Sequence, residues 1–207
     1  MTAGYFISGT DTGVGKTVAA SWLMLALDGE YWKPVQAGLD GETDSQAVRR
    51  MTGLPAERFH EPAYALKAAL SPHEAARREG IEIDMARLAL PRHRRPLIVE
   101  GAGGVMVPLN SRALMADLMA MLGLPVILVA RSGLGTINHT LLSIEALRKR
   151  GIEIAGVVLN GAPDPSNRAA IAAYGRVAVV GELPVLTRLE RAQLSAVEPR
   201  LPVAAAP

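Results

Sequence analysis

The run Gly9-Thr10-Asp11-Thr12-Gly13-Val14-Gly15-Lys16-Thr17 concentrates the residue types needed to hold a nucleotide. Glycines let successive backbone N–H groups curl around phosphate oxygens, and a helix starting there adds the positive end of its dipole. Lys16 supplies a point charge for the β- and γ-phosphates, and Thr17 supplies a hydroxyl for Mg2+. Thr10 stands where the usual pattern has its first glycine, with Gly9 one place earlier. A glycine-rich turn carrying an incidental lysine is the bland alternative. An apolar strand before the run and an amphipathic helix after it, both of which a phosphate cradle requires, favour the cradle.

Four other segments offer chemistry. Lys33, in Tyr31-Trp32-Lys33-Pro34-Val35, is either an edge-strand lysine reaching solvent or a cation aimed at a site. Asp40, Glu42 and Asp44 lie in a polar stretch leading into a helix, so Asp44 is a metal-associated carboxylate or the cap of a helix starting at Ser45. Glu100 ends the apolar run Ile98-Val99 and precedes Gly101-Ala102-Gly103-Gly104, where a turn is expected. A carboxylate after a strand next to the phosphate-binding strand is placed to hold Mg2+ through oxygen. The segment from Arg131 to His139 leads into a helix and is a second candidate anion site.

Alternating elements must position these residues. Strands are expected at Gly4–Ser8, Tyr31–Val35, Pro96–Glu100, Pro125–Ala130, Ile154–Leu159 and Ala178–Val180. Helices are expected at Thr17–Ala26, Ser45–Thr52, Pro72–Arg78, Asp84–Leu90, Leu114–Leu122, Asn138–Arg150 and Pro165–Tyr174. Runs such as Val126-Ile127-Leu128-Val129 lack polar alternation, the mark of parallel strands covered on both faces. The expected fold class is therefore α/β: a doubly wound, mostly parallel sheet with helices on both faces. Ligands in such folds gather beyond the carboxyl ends of the strands, where the unusual residues cluster. The 207 residues are expected to form one domain, with 199–207 a loosely packed tail.

Composition narrows the partners. With 22 basic and 20 acidic residues, the charge gives no case for nucleic acid or a membrane surface. Cysteine is absent, which excludes disulfides, thiolate metal sites and a cysteine nucleophile. No leader-like segment or apolar run of membrane-spanning length is present, so a cytoplasmic enzyme is expected.

Taken together, Gly-Thr-Asp-Thr-x-Val-Gly-Lys-Thr, Lys-Pro-Val, Ser71-Pro72-His73, Val-Glu-Gly-Ala-Gly-Gly, Gly-Thr-Ile-Asn-His and Gly181-Glu182-Leu183-Pro184 resemble the dethiobiotin synthetase family, from about Tyr5 to Leu186 and in the family's order. The resemblance implies a P-loop fold and ATP-dependent closure of a cyclic urea on 7,8-diaminopelargonic acid with CO2. It also implies Mg2+ and a homodimer with sites near the subunit interface. On these residues the nucleotide-binding loop is Gly13, Val14, Gly15, Lys16, Thr17 and Val18. Thr17, Asp44 and Glu100 are metal-associated, Lys33 and Lys16 are catalytic, and Gly101, Ala102 and Gly103 border the nucleotide. Asn160 reads adenine, with Pro184, Val185 and Leu186 lining the base. Thr12, Ala37 and the turn Gly135, Thr136, Ile137 and Asn138 face the diamine, the turn holding its carboxylate. His73 and His139 are expected to be structural. Gly13 replaces an acidic residue found in many members, and Ala37 replaces a hydroxyl residue.

The rival class is a nucleotide-switched partitioning ATPase. Such proteins carry an extra lysine early in the loop, and positions 9–14 contain none. A cobyrinate-type amidating synthetase would need a further domain with a cysteine nucleophile. A non-catalytic nucleotide-binding subunit is separated from an enzyme only by turnover.

Overall fold

The computed structural model describes residues 4–201. In chain order the strands are β1 (Tyr5–Gly9), β2 (Glu30–Trp32), β3 (Val35–Ala37), β4 (Phe59–His60), β5 (Tyr64–Leu66), β6 (Leu97–Gly104), β7 (Val126–Arg131), β8 (Ile154–Asn160) and β9 (Val179–Leu183). The helices are α1 (Lys16–Ala26), α2 (Asp44–Thr52), α3 (Pro72–Arg78), α4 (Met115–Leu122), α5 (Thr136–Arg148), α6 (Pro165–Gly175) and α7 (Arg191–Ser195).

Seven strands form one parallel sheet in the order β4-β2-β6-β1-β7-β8-β9, and β3 pairs with β5 in a separate two-stranded sheet. Successive residues of β1 and β7 enter different cores, which is why their sequences do not alternate. Phe6, Leu128 and Ala130 join one apolar cluster, while Tyr5, Ile7, Ile127 and Val129 join the other. The chain leaves β1 toward β2 on one side of the sheet, and leaves β7 toward β8 on the other. That reversal beside β1 opens a crevice at the strands' carboxyl ends.

Several expected elements differ. The single strand expected over Tyr31–Val35 is two, because β2 stops at Trp32 and β3 pairs elsewhere. Pro34 between them has no N–H to donate to a ladder. The helix expected over Asp84–Leu90 shrinks to one 3-10 turn, Met85–Arg87, capped by the Asp84 side chain. Pro91 disfavours helical backbone at Leu90, which limits any extension. β6 does not turn after Glu100 but continues to Gly104. Of the expected tail, 202–207 lie outside the described residues, while Arg200 N donates to Val180 O at 2.7 Å.

Candidate active site

The phosphate loop hangs between β1 and α1. Gly15 is the N-cap of α1 with φ 98°, and a Cβ there would collide with the side chain of Asn160. Gly9 is also sterically required, since a Cβ would sit 2.7 Å from Asp11 O and 2.8 Å from Val14 Cγ2. The tight glycine has thus moved one place ahead of its usual position. Lys16 Nζ donates to Asp11 O at 3.0 Å, folding its side chain back over the loop. Burial, and then the nearby charge of Lys33, lower its pKa.

Three further elements deliver Lys33, Asp44 and Glu100 to the start of α1. Lys33 follows β2, which lies between β4 and β6, so the edge-strand reading is wrong. β2 is not next to β1, because β6 separates them. Lys33 is 3% exposed and spends its ammonium on Asp44 Oδ2 at 2.8 Å, Glu100 Oε1 at 3.0 Å and Gly101 O at 3.0 Å. Burial alone would lower its pKa, but the charges of Glu100 and Asp44 outweigh that and raise it. Asp44 is not the helix cap. Thr43 caps α2 in a reciprocal box with Gln46, which leaves the carboxylate of Asp44 free to face the loop. Burial pushes the Asp44 pKa up, yet Lys33 and Thr17 bring it below its ordinary value.

These groups converge on Thr17. Its Oγ1 lies 3.0 Å from Asp44 Oδ1 and 3.1 Å from Glu100 Oε1, and one hydroxyl proton can satisfy only one of them at a time. Glu100 is 1% exposed, and its other oxygen accepts from Tyr31 Oη at 2.9 Å. Burial, and then the charge of Glu100, hold the Tyr31 hydroxyl well above its ordinary pKa, so it remains a donor. Two carboxylate oxygens crowded around one hydroxyl, three oxygens in all, fit a hard divalent cation. Among the described residues no three His, Asp or Glu side chains gather as a metal cage.

A cavity of about 610 Å³ opens over this cluster. Its polar wall includes Thr12, Gly13, Gly15, Lys16, Thr17 and Val18 of the loop, with Lys33, Asp44 and Glu100. Its other wall is largely apolar, formed by Ala37, Ala69, Leu70, Pro72, Ala102 and Val107, with Gly103 and Ser71 beside them. Gly13 has φ 70° and open space around its Cβ position, so backbone conformation rather than crowding favours glycine there. Asn160 Nδ2 donates to Val14 O at 3.0 Å, and Asn160 pairs in register with Leu183. Pro184, Val185 and Leu186 therefore continue from β9 beside Asn160, and Val185 is 76% exposed. Gly135, Thr136, Ile137 and Asn138 open α5 but do not line the cavity. Gly135 caps that helix with φ 89°, and Thr136 Oγ1 donates to Arg131 O at 2.5 Å.

A protein-family model described as an AAA domain matches residues 3–193. The ATP-dependent dethiobiotin synthetase BioD of Paramagnetospirillum magneticum is 50% identical over 196 residues, 95% of each chain. The chain belongs to the dethiobiotin synthetase family. The BioD of Agrobacterium fabrum is 52% identical over 91% of this chain and 89% of its own. The longer biotin biosynthesis bifunctional protein BioCD of Bordetella avium is 53% identical over 88% of this chain and 40% of its own. Among solved structures, a ParA family ATPase from Chlorobium tepidum superposes with TM-score 0.57, covering 94% of this chain and 97% of its own at 11% identity. Apo McdA from Cyanothece gives 0.53, covering 95% and 90% at 12% identity. These last two share the P-loop α/β fold. The sequence relatives place the chain with the synthetases rather than with partitioning ATPases.

Two residues in contact with the synthetase site were not singled out from sequence. Tyr31 reads there only as a strand residue. Gln36 accepts from Asp44 N at 3.2 Å and donates to Ala37 O at 3.1 Å, orienting the start of α2. A glutamine inside a short apolar run was the available signal.

Proposed function

We propose that this chain is an ATP- and Mg2+-dependent cyclo-ligase that closes 7,8-diaminopelargonic acid with CO2 to dethiobiotin. Family membership supports the overall reaction. The observation that carries its assignment to this site is the cluster in which Thr17, Lys33, Asp44 and Glu100 meet beneath the phosphate loop. A substrate amine captures CO2 as a carbamate, losing one proton. A carbamate oxygen attacks the γ-phosphorus of ATP, expelling ADP and forming a carbamic–phosphoric mixed anhydride. The second amine attacks the carbamoyl carbon and gives up a proton, the ring closes, and phosphate leaves with its electron pair.

No protein nucleophile is needed, so the residues position groups and oppose charge. Lys16 and the loop N–H groups would hold the β- and γ-phosphates. Lys33, kept protonated by Asp44 and Glu100, would draw the anionic carbamate toward the γ-phosphate. Thr17, Asp44 and Glu100 would hold Mg2+, directly or through water; when bound it supplies Lewis-acid charge neutralisation on the phosphoryl group. The apolar wall around Ala37, Leu70 and Val107 suits the diamine's alkyl chain. Asn160 and Pro184–Leu186 would border adenine, and the opening of α5 would take the diamine's carboxylate. Balanced charge supports small-molecule partners over nucleic acid or a membrane surface, and the family resemblance implies a second copy of the chain. Among the described residues no helix is long and apolar enough to cross a membrane. A cytoplasmic location is part of the proposal and rests on the ATP-dependent small-molecule chemistry of the family.

The decisive assay follows ADP release from purified protein with ATP, Mg2+ and bicarbonate, with and without the diamine. ADP and dethiobiotin should form in equal amounts only when the diamine is present. ATP turnover indifferent to the diamine would instead mark a nucleotide switch.

A further inference from the structure

Glu100 is gripped at both oxygens. Oε1 faces Lys33 at 3.0 Å and Thr17 at 3.1 Å, while Oε2 accepts from Tyr31 Oη at 2.9 Å. Tyr31 is 0% exposed, lies in β2 in register with Ile98 of β6, and packs against the ring of Phe59 with centroids 6.0 Å apart. The phenol is thus fixed by a strand ladder and a neighbouring ring before it meets the carboxylate. The last torsion of a glutamate is soft, so the backbone alone does not set the angle at which the carboxylate plane meets the metal-associated cluster. Tyr31 holds one oxygen from the far side while Lys33 and Thr17 face the other, and together they set that angle. We propose that Tyr31 is a positioning residue, whose hydroxyl holds the carboxylate plane of Glu100 so that the other oxygen faces Thr17 and Lys33.

The proposal rests on the reading of Glu100 as a metal-associated carboxylate, and Tyr31 acts only through it. A tyrosine serving the core alone would also find a partner for its hydroxyl, but its loss would lower stability without altering the response to metal. Two readouts separate these roles: the Mg2+ concentration for half-maximal turnover, and the Mg2+ dependence of ADP binding measured by calorimetry. Partners behind a metal ligand commonly contribute about 10- to 100-fold in metal affinity. Tyr31→Phe should therefore raise the Mg2+ requirement in both readouts by about tenfold. ADP binding in EDTA and the KM for the diamine should stay as in the parent. Adding Tyr31→Phe to Glu100→Gln should cost little further, because the second change removes the group through which the first acts.

An unchanged Mg2+ requirement in Tyr31→Phe, or a full additional loss in the double variant, overturns the proposal. If Glu100→Gln alone leaves the Mg2+ requirement unchanged, the assignment of Glu100 fails first and the role of Tyr31 falls with it. Loss of ADP binding in EDTA marks a folding defect in Tyr31→Phe. Replacement of Tyr31 by 4-aminophenylalanine, which keeps a donor at the ring's end, then decides. Parental Mg2+ dependence in that variant supports the positioning role, and a raised requirement overturns it.

Discussion

Lys33 brings a full charge into a place where bare burial would be costly, and two carboxylates make it tolerable. On the proposed mechanism that arrangement would serve the reaction, because the carbamate is an anion that must approach the γ-phosphate. At an effective dielectric of about 20, an ammonium about 4 Å from an anion is worth roughly 4 kcal/mol before desolvation. Lys33→Gln should lower turnover about a hundredfold or more while leaving ADP affinity nearly unchanged, as steady-state rates and calorimetry would show. It should also destabilise the free protein, since breaking a buried pair typically costs about 3–5 kcal/mol. Added Mg2+ should recover more stability in this variant than in the parent, because Asp44 and Glu100 then lack their resident cation; equal recovery in a thermal melt would refute that. Lys16 makes a different prediction. Burial holds its pKa below the ordinary lysine value in the free enzyme, and a bound polyphosphate must push it back up. Between those two values nucleotide binding takes up a proton, so affinity should fall as pH rises through the alkaline range. Calorimetry of ADP binding at alkaline pH in two buffers of different ionisation enthalpy should register that uptake. Lys16→Gln should abolish the uptake and weaken binding.

At the scale of elements, α2 separates two jobs that the sequence allowed Asp44 to combine. Thr43 and Gln46 satisfy the helix start, and Asp44, the first helical residue, turns toward Thr17 and Lys33. Thr43→Ala should therefore lower stability by about 1 kcal/mol with little change in the Mg2+ requirement. Asp44→Asn should do the reverse, raising the requirement and slowing turnover; a chain that melts earlier and keeps its kinetics would restore the capping role. The long parallel strands and the phosphate loop were legible because unbroken apolar runs and glycine spacing are local signals. The break at Lys33-Pro34 was less so: five residues of strand-like composition do not reveal that their two halves pair in different sheets. Strands of two or three residues, such as β3, β4 and β5, are shorter than any period that could announce them. Site residues on motif runs were readable one by one. Their shared contacts on Thr17 were not, because these join residues 27 and 83 positions apart. Tyr31 was invisible for the same reason, since its partner is 69 positions away.

The whole chain supplies the phosphate loop, the metal-associated oxygens and Lys33 to one cavity, but not the proposed carboxylate dock. Gly135–Asn138 open α5 at the carboxyl end of β7, on the side of β1 opposite β6 and β2, which carry Glu100 and lead to Lys33. The diamine's two amines must reach the γ-phosphate while its carboxylate lies a full alkyl chain away. On the proposed reading its alkyl chain would run along Ala37, Leu70 and Val107, which line the cavity on the β6 side of β1. In a dimer a second copy of the chain would present its own α5 opening to that path, and the proposed carboxylate dock would be completed across the interface. The neighbouring Leu134 is wholly exposed. The expectation is a dimer in sedimentation velocity, and specific activity that falls when the protein is diluted below its dissociation constant. Replacing Leu134 with Glu should weaken both the dimer and the apparent affinity for the diamine, and leave ADP binding intact because the phosphate loop is complete within one chain. A monomer of full activity, or a substrate-bound structure with the carboxylate held by the same chain's cavity wall, would overturn the shared site.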